Sequence, residues 1–222
     1  MKRVTIRVPA TTANLGPGFD AFGCALSLYT DVTFEETEFG LEITGCPEEF
    51  TGPDNLAPAF YGGLTASMVD NGLPVCVNFP LHPDWEFLAL IPDFNLPTSK
   101  ARAVLPDQVS RADAIYNISH GALVLKALEL GDEKLLRTAM QDKLHQNYRK
   151  NLITDFEVIE NLVRTTGAAF CLSGAGPTLL CITRTPKLRE TLSKKLDAIT
   201  TASWQMLPLH VDFQGAHVIA AE

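Results

Sequence analysis

Five short segments of this chain carry side chains able to do chemistry. In "TTANLGPGFD", Thr11, Thr12 and Asn14 precede a Gly16-Pro17-Gly18 turn that ends in Asp20. Glycine lets backbone come close to a ligand, so such a turn can hold an amide and a carboxylate beside a polar group. The same residues suit a plain tight loop with Asp20 capping the next element, and both readings stand. "LSGAGPT" sets Ser173, Gly174, Ala175 and Gly176 between two apolar runs, with N–H groups suited to an anion. A hairpin with left-handed glycines has the same signature. "LPTSKARAVLP" brings Thr98, Lys100 and Arg102 just after an apolar strand, and "HQNYRKNLI" puts Arg149 at the end of a helical run. Two guanidinium forks clamp a carboxylate well, although such charges are equally at home as solvated surface. "PDNLAPA" places Asp54 and Asn55 ahead of Pro58, common turn chemistry.

The elements that must position these segments follow from periodicity. Residues 2–9 and 31–37 alternate as half-buried strands, 41–45 extends a meander, and 64–68 and 85–91 read as further strands. Helices are expected near 110–130, 132–146 and 155–166, then strand, glycine turn and strand through 168–183. "TPKLRETLSKKLDAI" begins with Pro186 in a first-turn position and spaces Leu188, Leu192, Leu196 and Ile199 as a helix. Strand-like runs near 204–211 and 216–220 close the chain. This order predicts an α+β fold with helices on one face of an antiparallel sheet.

Composition narrows the class of partner. At 222 residues and 46% hydrophobic content the chain can bury one large core or two small ones. A net charge of -8 with interleaved signs and no basic stripe argues against nucleic acid. Met1 opens directly into a strand, and no apolar run is long enough to span a bilayer, so a cytoplasmic protein without membrane contact is expected. Cys24, Cys46, Cys76, Cys171 and Cys181 are odd in number and mostly inside apolar runs. They read as buried reduced thiols, and no metal-ligating set is assigned.

Taken in order, "PATTANLGPGFD", "PDNLAPAFYGGL", "IPDFNLPTSKARAVLP", "DKLHQNYRKNLI" and "LSGAGPT" resemble the homoserine kinases of the GHMP kinase superfamily over nearly the whole chain. The resemblance implies a two-domain GHMP-like fold, with a truncated N-terminal α/β layer over 1–80 and a ferredoxin-like C-terminal sandwich over 81–222. It implies transfer of the γ-phosphoryl of ATP, with Mg, to the side-chain hydroxyl of L-homoserine in threonine biosynthesis, by a homodimer. It further implies that Asn14 and Asp20 face the amino alcohol, Asp20 orienting its hydroxyl, and that Asp54 holds its amino end. Asn55 would lie near the nucleotide, Thr98, Arg102 and Arg149 would receive the substrate carboxylate, and Gly174 and Gly176 would line the same pocket.

One family segment is missing. Homoserine kinases carry a Gly- and Ser-rich loop at a helix N-terminus, which cradles the triphosphate, and then a helical glutamate for Mg. Residues 27–53 hold no Gly-x-Gly and no Ser-Ser, and the family's histidine before "PDN" falls on Gly52. "FTGPDNLAPAF" begins as one family turn and ends as another, which reads as an internal deletion between two similar "PDN" stretches. The loss of a strand and two helices is expected to bare the apolar faces of 2–9 and 31–37. Three outcomes are compatible with this pattern: a kinase with impaired phosphoryl transfer, a homoserine-binding pseudokinase, or an inert remnant.

Overall fold

The computed structural model describes residues 3–37, 40–43 and 53–221. The described residues gather into two compact units. One lies within Met1–Ala13, Asp20–Phe79 and Val211–Glu222, and the other is formed by Asn14–Phe19 and Pro80–His210. The course of the chain therefore differs from a single cut after residue 80, because the last strand returns to the first unit and the glycine turn belongs to the second.

The first unit is an antiparallel sheet. Its strands are β1 (Arg3–Ala13), β2 (Phe22–Thr37), β3 (Gly40–Ile43), β4 (Leu64–Asp70), β5 (Leu73–Phe79) and β10 (His217–Ala221). They run in the order β10-β1-β2-β4-β5, with β3 paired to β2. Both β1 and β2 are longer than their alternation alone predicts: β1 carries Thr11 and Thr12, and β2 takes in the apolar run from Phe22. One helix, α1 (Pro53–Tyr61), packs on this sheet, a helix that its two prolines conceal in the sequence. Pro58 has no N–H to bond the carbonyl of Asp54, and that carbonyl lies directly against Gly23, where a Cβ would collide with it. Gly62, at φ +70, ends the helix and donates its N–H to Pro58. Among the described residues of 2–9 and 31–37, Val4, Ile6, Val8, Val32 and Phe34 are half-buried, so the faces expected to be bare are partly covered.

The second unit holds a four-stranded antiparallel sheet of order β7-β8-β6-β9, from β6 (Glu86–Pro92), β7 (Ala169–Leu172), β8 (Leu179–Thr183) and β9 (Trp204–Leu209). With α6 (Phe156–Arg164) before β7 and α7 (Lys187–Ile199) between β8 and β9, this is the ferredoxin-like arrangement the family resemblance implies. Ile159 and Val163 of α6 and Leu188, Leu192 and Leu196 of α7 bury against Leu88, Leu90 and Leu179 of the sheet. Each such side chain contributes about 1.5–3 kcal/mol. A 20-residue helix, α3 (Arg111–Leu130), starts where Ser110 accepts the Asp113 N–H at 3.0 Å and stops at left-handed Gly131. A short α2 (Thr98–Ala103) precedes it, and α4 (Glu133–Ala139) follows. The helix expected over 132–146 is broken: Asp142 draws the N–H groups of Leu144, His145 and Gln146 onto its carboxylate and starts a separate turn, α5 (Gln146–Arg149). Among the described residues no helix is long and apolar enough to cross a membrane.

Candidate functional site

Arg149 is the point at which the separately read segments meet in the second unit. Its side chain is 1% exposed, so the solvated-surface reading fails. Nε donates to the Ala101 carbonyl in α2 at 3.1 Å, and Nη1 donates to the Gly174 carbonyl at 3.3 Å. The guanidinium carbon lies 5.1 Å over the ring of Phe19, which closes the Gly-Pro-Gly turn. One buried cation thus ties "LPTSKARAVLP", "LSGAGPT" and "NLGPGF" together. The turn is held from the same side. The Gly16 carbonyl lies 2.8 Å from His145 Nε2, and the Pro17 carbonyl accepts from Asn117 Nδ2 at 3.3 Å. Asn117 is itself bonded to Asp142 at 2.7 Å, and Gln146 accepts the Leu172 N–H at 2.7 Å, which docks α5 on β7. Gly16 has φ +55, and a Cβ there would stand 2.7 Å from the Met140 carbonyl, so this turn requires glycine.

The other sequence-chosen residues fall as follows. Asn14 is buried at the head of the turn, with φ +60. Thr98 and Arg102 are exposed on α2, one turn apart and flanking the Ala101 carbonyl that Arg149 holds. Gly174 and Gly176 are left-handed and close a β7–β8 hairpin, in which Ser173 donates to Thr178 and Gly176 to Ser173. That hairpin spends two of the N–H groups expected to serve an anion, and it turns the Gly174 carbonyl toward Arg149. In the first unit, Asp20 is exposed with φ +51, and Asp54 is buried in the first turn of α1. Beside it, Asn55 accepts from Thr11 Oγ1 at 3.3 Å.

Sequence reasoning passed over His145, Asp142, Asn117 and Phe19. The findable signal was spacing, since His145 stands four residues before Arg149 and so shares its helical face. Burial disfavours the thiolate at three of the cysteines. Cys24, Cys171 and Cys181 are buried, and burial pushes the Cys24 and Cys171 thiols up to about 12 and the Cys181 thiol higher still. Cys76 is half-buried, whereas Cys46 and Gly52 lie outside the described residues. No group of three or more His, Cys, Asp or Glu side chains among the described residues is placed to hold a metal.

Comparison with known proteins gives this arrangement its context. The profile of the family "GHMP kinases C terminal" matches residues 124–199. Homoserine kinase of Clostridium botulinum (strain Alaska E43) is 31% identical over 301 aligned positions, covering 99% of this chain and 99% of the relative. That of Clostridium beijerinckii is 32% identical over 295 positions, covering 97% and 98%. An alignment of 301 positions that reaches both ends of the relative exceeds this chain of 222 residues by 79, so at least that many positions face an internal gap. Among solved structures, homoserine kinase from Cytophaga hutchinsonii superposes with a TM-score of 0.86 at 19% identity, covering 99% of this chain and 98% of that one. A putative homoserine kinase from Listeria monocytogenes gives 0.72 at 24%, covering 98% and 100%. The structures establish the shared fold and the sequences the lineage: the chain belongs to the homoserine kinase family of the GHMP kinases, a family of phosphotransferases.

Proposed function

We propose that this chain recognises L-homoserine and transfers phosphoryl groups to it far more slowly than its full-length relatives. The observation that carries the reading is the buried Arg149, which locks α2 and the glycine hairpin into one positively charged corner of the second unit. In this reading Thr98 and Arg102, exposed on α2, meet the substrate carboxylate, and Arg149 beneath them supplies charge and holds the geometry. Gly174 and Gly176 let the hairpin come close. Asn14 and Asp20 orient the side-chain hydroxyl, Asp54 takes the amino group, and Asn55 serves the nucleotide. The first unit then represents the shortened N-terminal domain and the second the C-terminal one, in a cytoplasmic enzyme without membrane or nucleic-acid partners.

ATP and Mg are the family's reagents, supplying the phosphoryl group and the charge that steadies it. The residues present do not fit that group as the family holds it. Residues 27–53 contain no glycine- or serine-rich loop to present backbone N–H groups to a triphosphate. Phosphoryl transfer depends on such preorganised donors, so a loss of at least about 1,000-fold in turnover is expected. The test is calorimetric titration with L-homoserine, run beside a coupled ADP-release assay with MgATP against the Clostridium botulinum relative. Homoserine heat with turnover at least about 1,000-fold below the relative supports the proposal. Turnover matching the relative overturns the impairment, and absence of heat overturns the recognition.

A further inference from the structure

His145 is fully buried, and both of its ring nitrogens meet groups that fix where its proton resides. Nε2 lies 2.8 Å from the Gly16 carbonyl oxygen, which only accepts, so Nε2 carries the proton. Nδ1 lies 3.4 Å from Arg149 Nη1, which only donates, so Nδ1 is bare and accepts. The Nε2–H tautomer satisfies both contacts and turns its proton toward the Asp142 carboxylate, whose Oδ2 lies 3.8 Å from Nε2, whereas a proton on Nδ1 would face the Arg149 donor. The ring cannot swing away. It stacks on Phe19 with centroids 5.1 Å apart and planes 20° off parallel, and its backbone N–H is held by Asp142 at 2.8 Å.

We propose that His145 is a positioning residue, which in its Nε2–H form links the Arg149 guanidinium to the Gly16 carbonyl so that the arginine and the Gly-Pro-Gly turn hold one shared geometry. Arg149 reaches α2 and the Gly174 hairpin, and the turn carries Asn14, so the imidazole connects the carboxylate-holding corner to the segment read as facing the hydroxyl. Asn117 pins the next carbonyl of the turn, and Asp142, which orients both Asn117 and His145, serves as the fixed anchor. The consequence for homoserine affinity rests on the reading of Arg149 as part of the carboxylate site; the link itself does not.

Two measurements on the full chain test the link and its consequence separately. Long-range proton–nitrogen correlation on histidine-labelled protein at pH 7 reads the tautomer directly. The His145 signals are assigned by their absence in His145→Gln or, should that variant not fold, by contacts to the Phe19 ring. A protonated Nε2 and a bare Nδ1 are expected; a protonated Nδ1, alone or together with Nε2, overturns the link. Calorimetry with L-homoserine then compares variants. His145→Phe keeps the stack but neither polar atom and is expected to weaken binding about tenfold, and His145→Asn, which offers an oxygen near the Nδ1 position but leaves the Gly16 carbonyl without its donor, is expected to weaken it as well. Unchanged affinity in His145→Phe overturns the coupling to ligand. If the parent chain itself gives no heat, the homoserine reading fails, and the tautomer alone decides the proposal.

Discussion

Among single residues, Asp155 shows how one carboxylate can organise a loop without any part in the chemistry. It sits at φ +65 before α6 and accepts from the Thr201 and Ala202 N–H groups at 2.9 Å, from Thr201 Oγ1 at 2.9 Å and from Trp204 Nε1 at 3.3 Å. Burial alone would raise its carboxyl, but the bonds from Ala202, Thr201 and Trp204 outweigh it and hold the group below the usual carboxylate range. A depressed folded-state value means that the stabilisation is present above the unfolded value of about 3.9 and is lost as pH falls through the folded one. Asp155→Asn tests this cleanly, because asparagine tolerates the left-handed backbone and removes only the charge and one acceptor. The variant is expected to lose about 1–2 kcal/mol at pH 7, read by urea unfolding. The difference should narrow as pH falls from about 3.9 through the lower folded-state value, and a difference constant with pH would place the cost in shape instead of charge.

Secondary-structure elements were legible where local chemistry and periodicity agreed. The helix expected near 110–130 is α3, the leucine spacing announces α7, and the glycines of "LSGAGPT" announce the β7–β8 turn. The illegible elements depend on partners distant in sequence. Helix α1 contains Pro58, a poor helix residue, and is held by its packing on β1, β2 and β4, which no local propensity reports. The break after α4 is set by Asp142, whose surface-like appearance in "MQDKLHQ" hides its burial. The site was legible in its residue types and illegible in its depth, since nothing local distinguishes buried Arg149 from exposed Arg102. Gly23 offers a test at this scale, because its missing side chain lets α1 approach β2. Gly23→Ala forces a methyl into the Asp54 backbone and is expected to cost about 3 kcal/mol, lowering Tm by about 6–12 °C. Gly174→Ala meets nothing within 4 Å and pays only for its left-handed backbone, about 1–2 kcal/mol. A Tm for Gly23→Ala within about 2 °C of the parent would show that α1 can retreat from the sheet at little cost.

At the scale of the whole molecule, the first unit has one helix among its described residues and apolar surface at one edge. That surface lies on the β4–β5 hairpin, away from the strands where the sequence placed it. Strand β5 ends the sheet order, so among the described residues one side of its backbone has no strand partner. Leu73, Val75 and Val77 share a face with Met68, which pairs with Val75 across the hairpin, and all four are at least 40% exposed. The strand carries no charge, and Pro74 alone interrupts its capacity to pair with a further strand. An uncharged, apolar edge of this kind recruits other chains when protein is concentrated or warmed. Val75→Lys places a charge on the exposed face and leaves the β4–β5 ladder intact. It is expected to delay the onset of light scattering on heating while Tm stays within about 2 °C of the parent, since an exposed substitution moves stability by about 0.5 kcal/mol or less. If Val75→Lys instead lowers Tm by about 5 °C or more at unchanged scattering, the face is packed in solution, and the aggregation liability must lie elsewhere on the sheet.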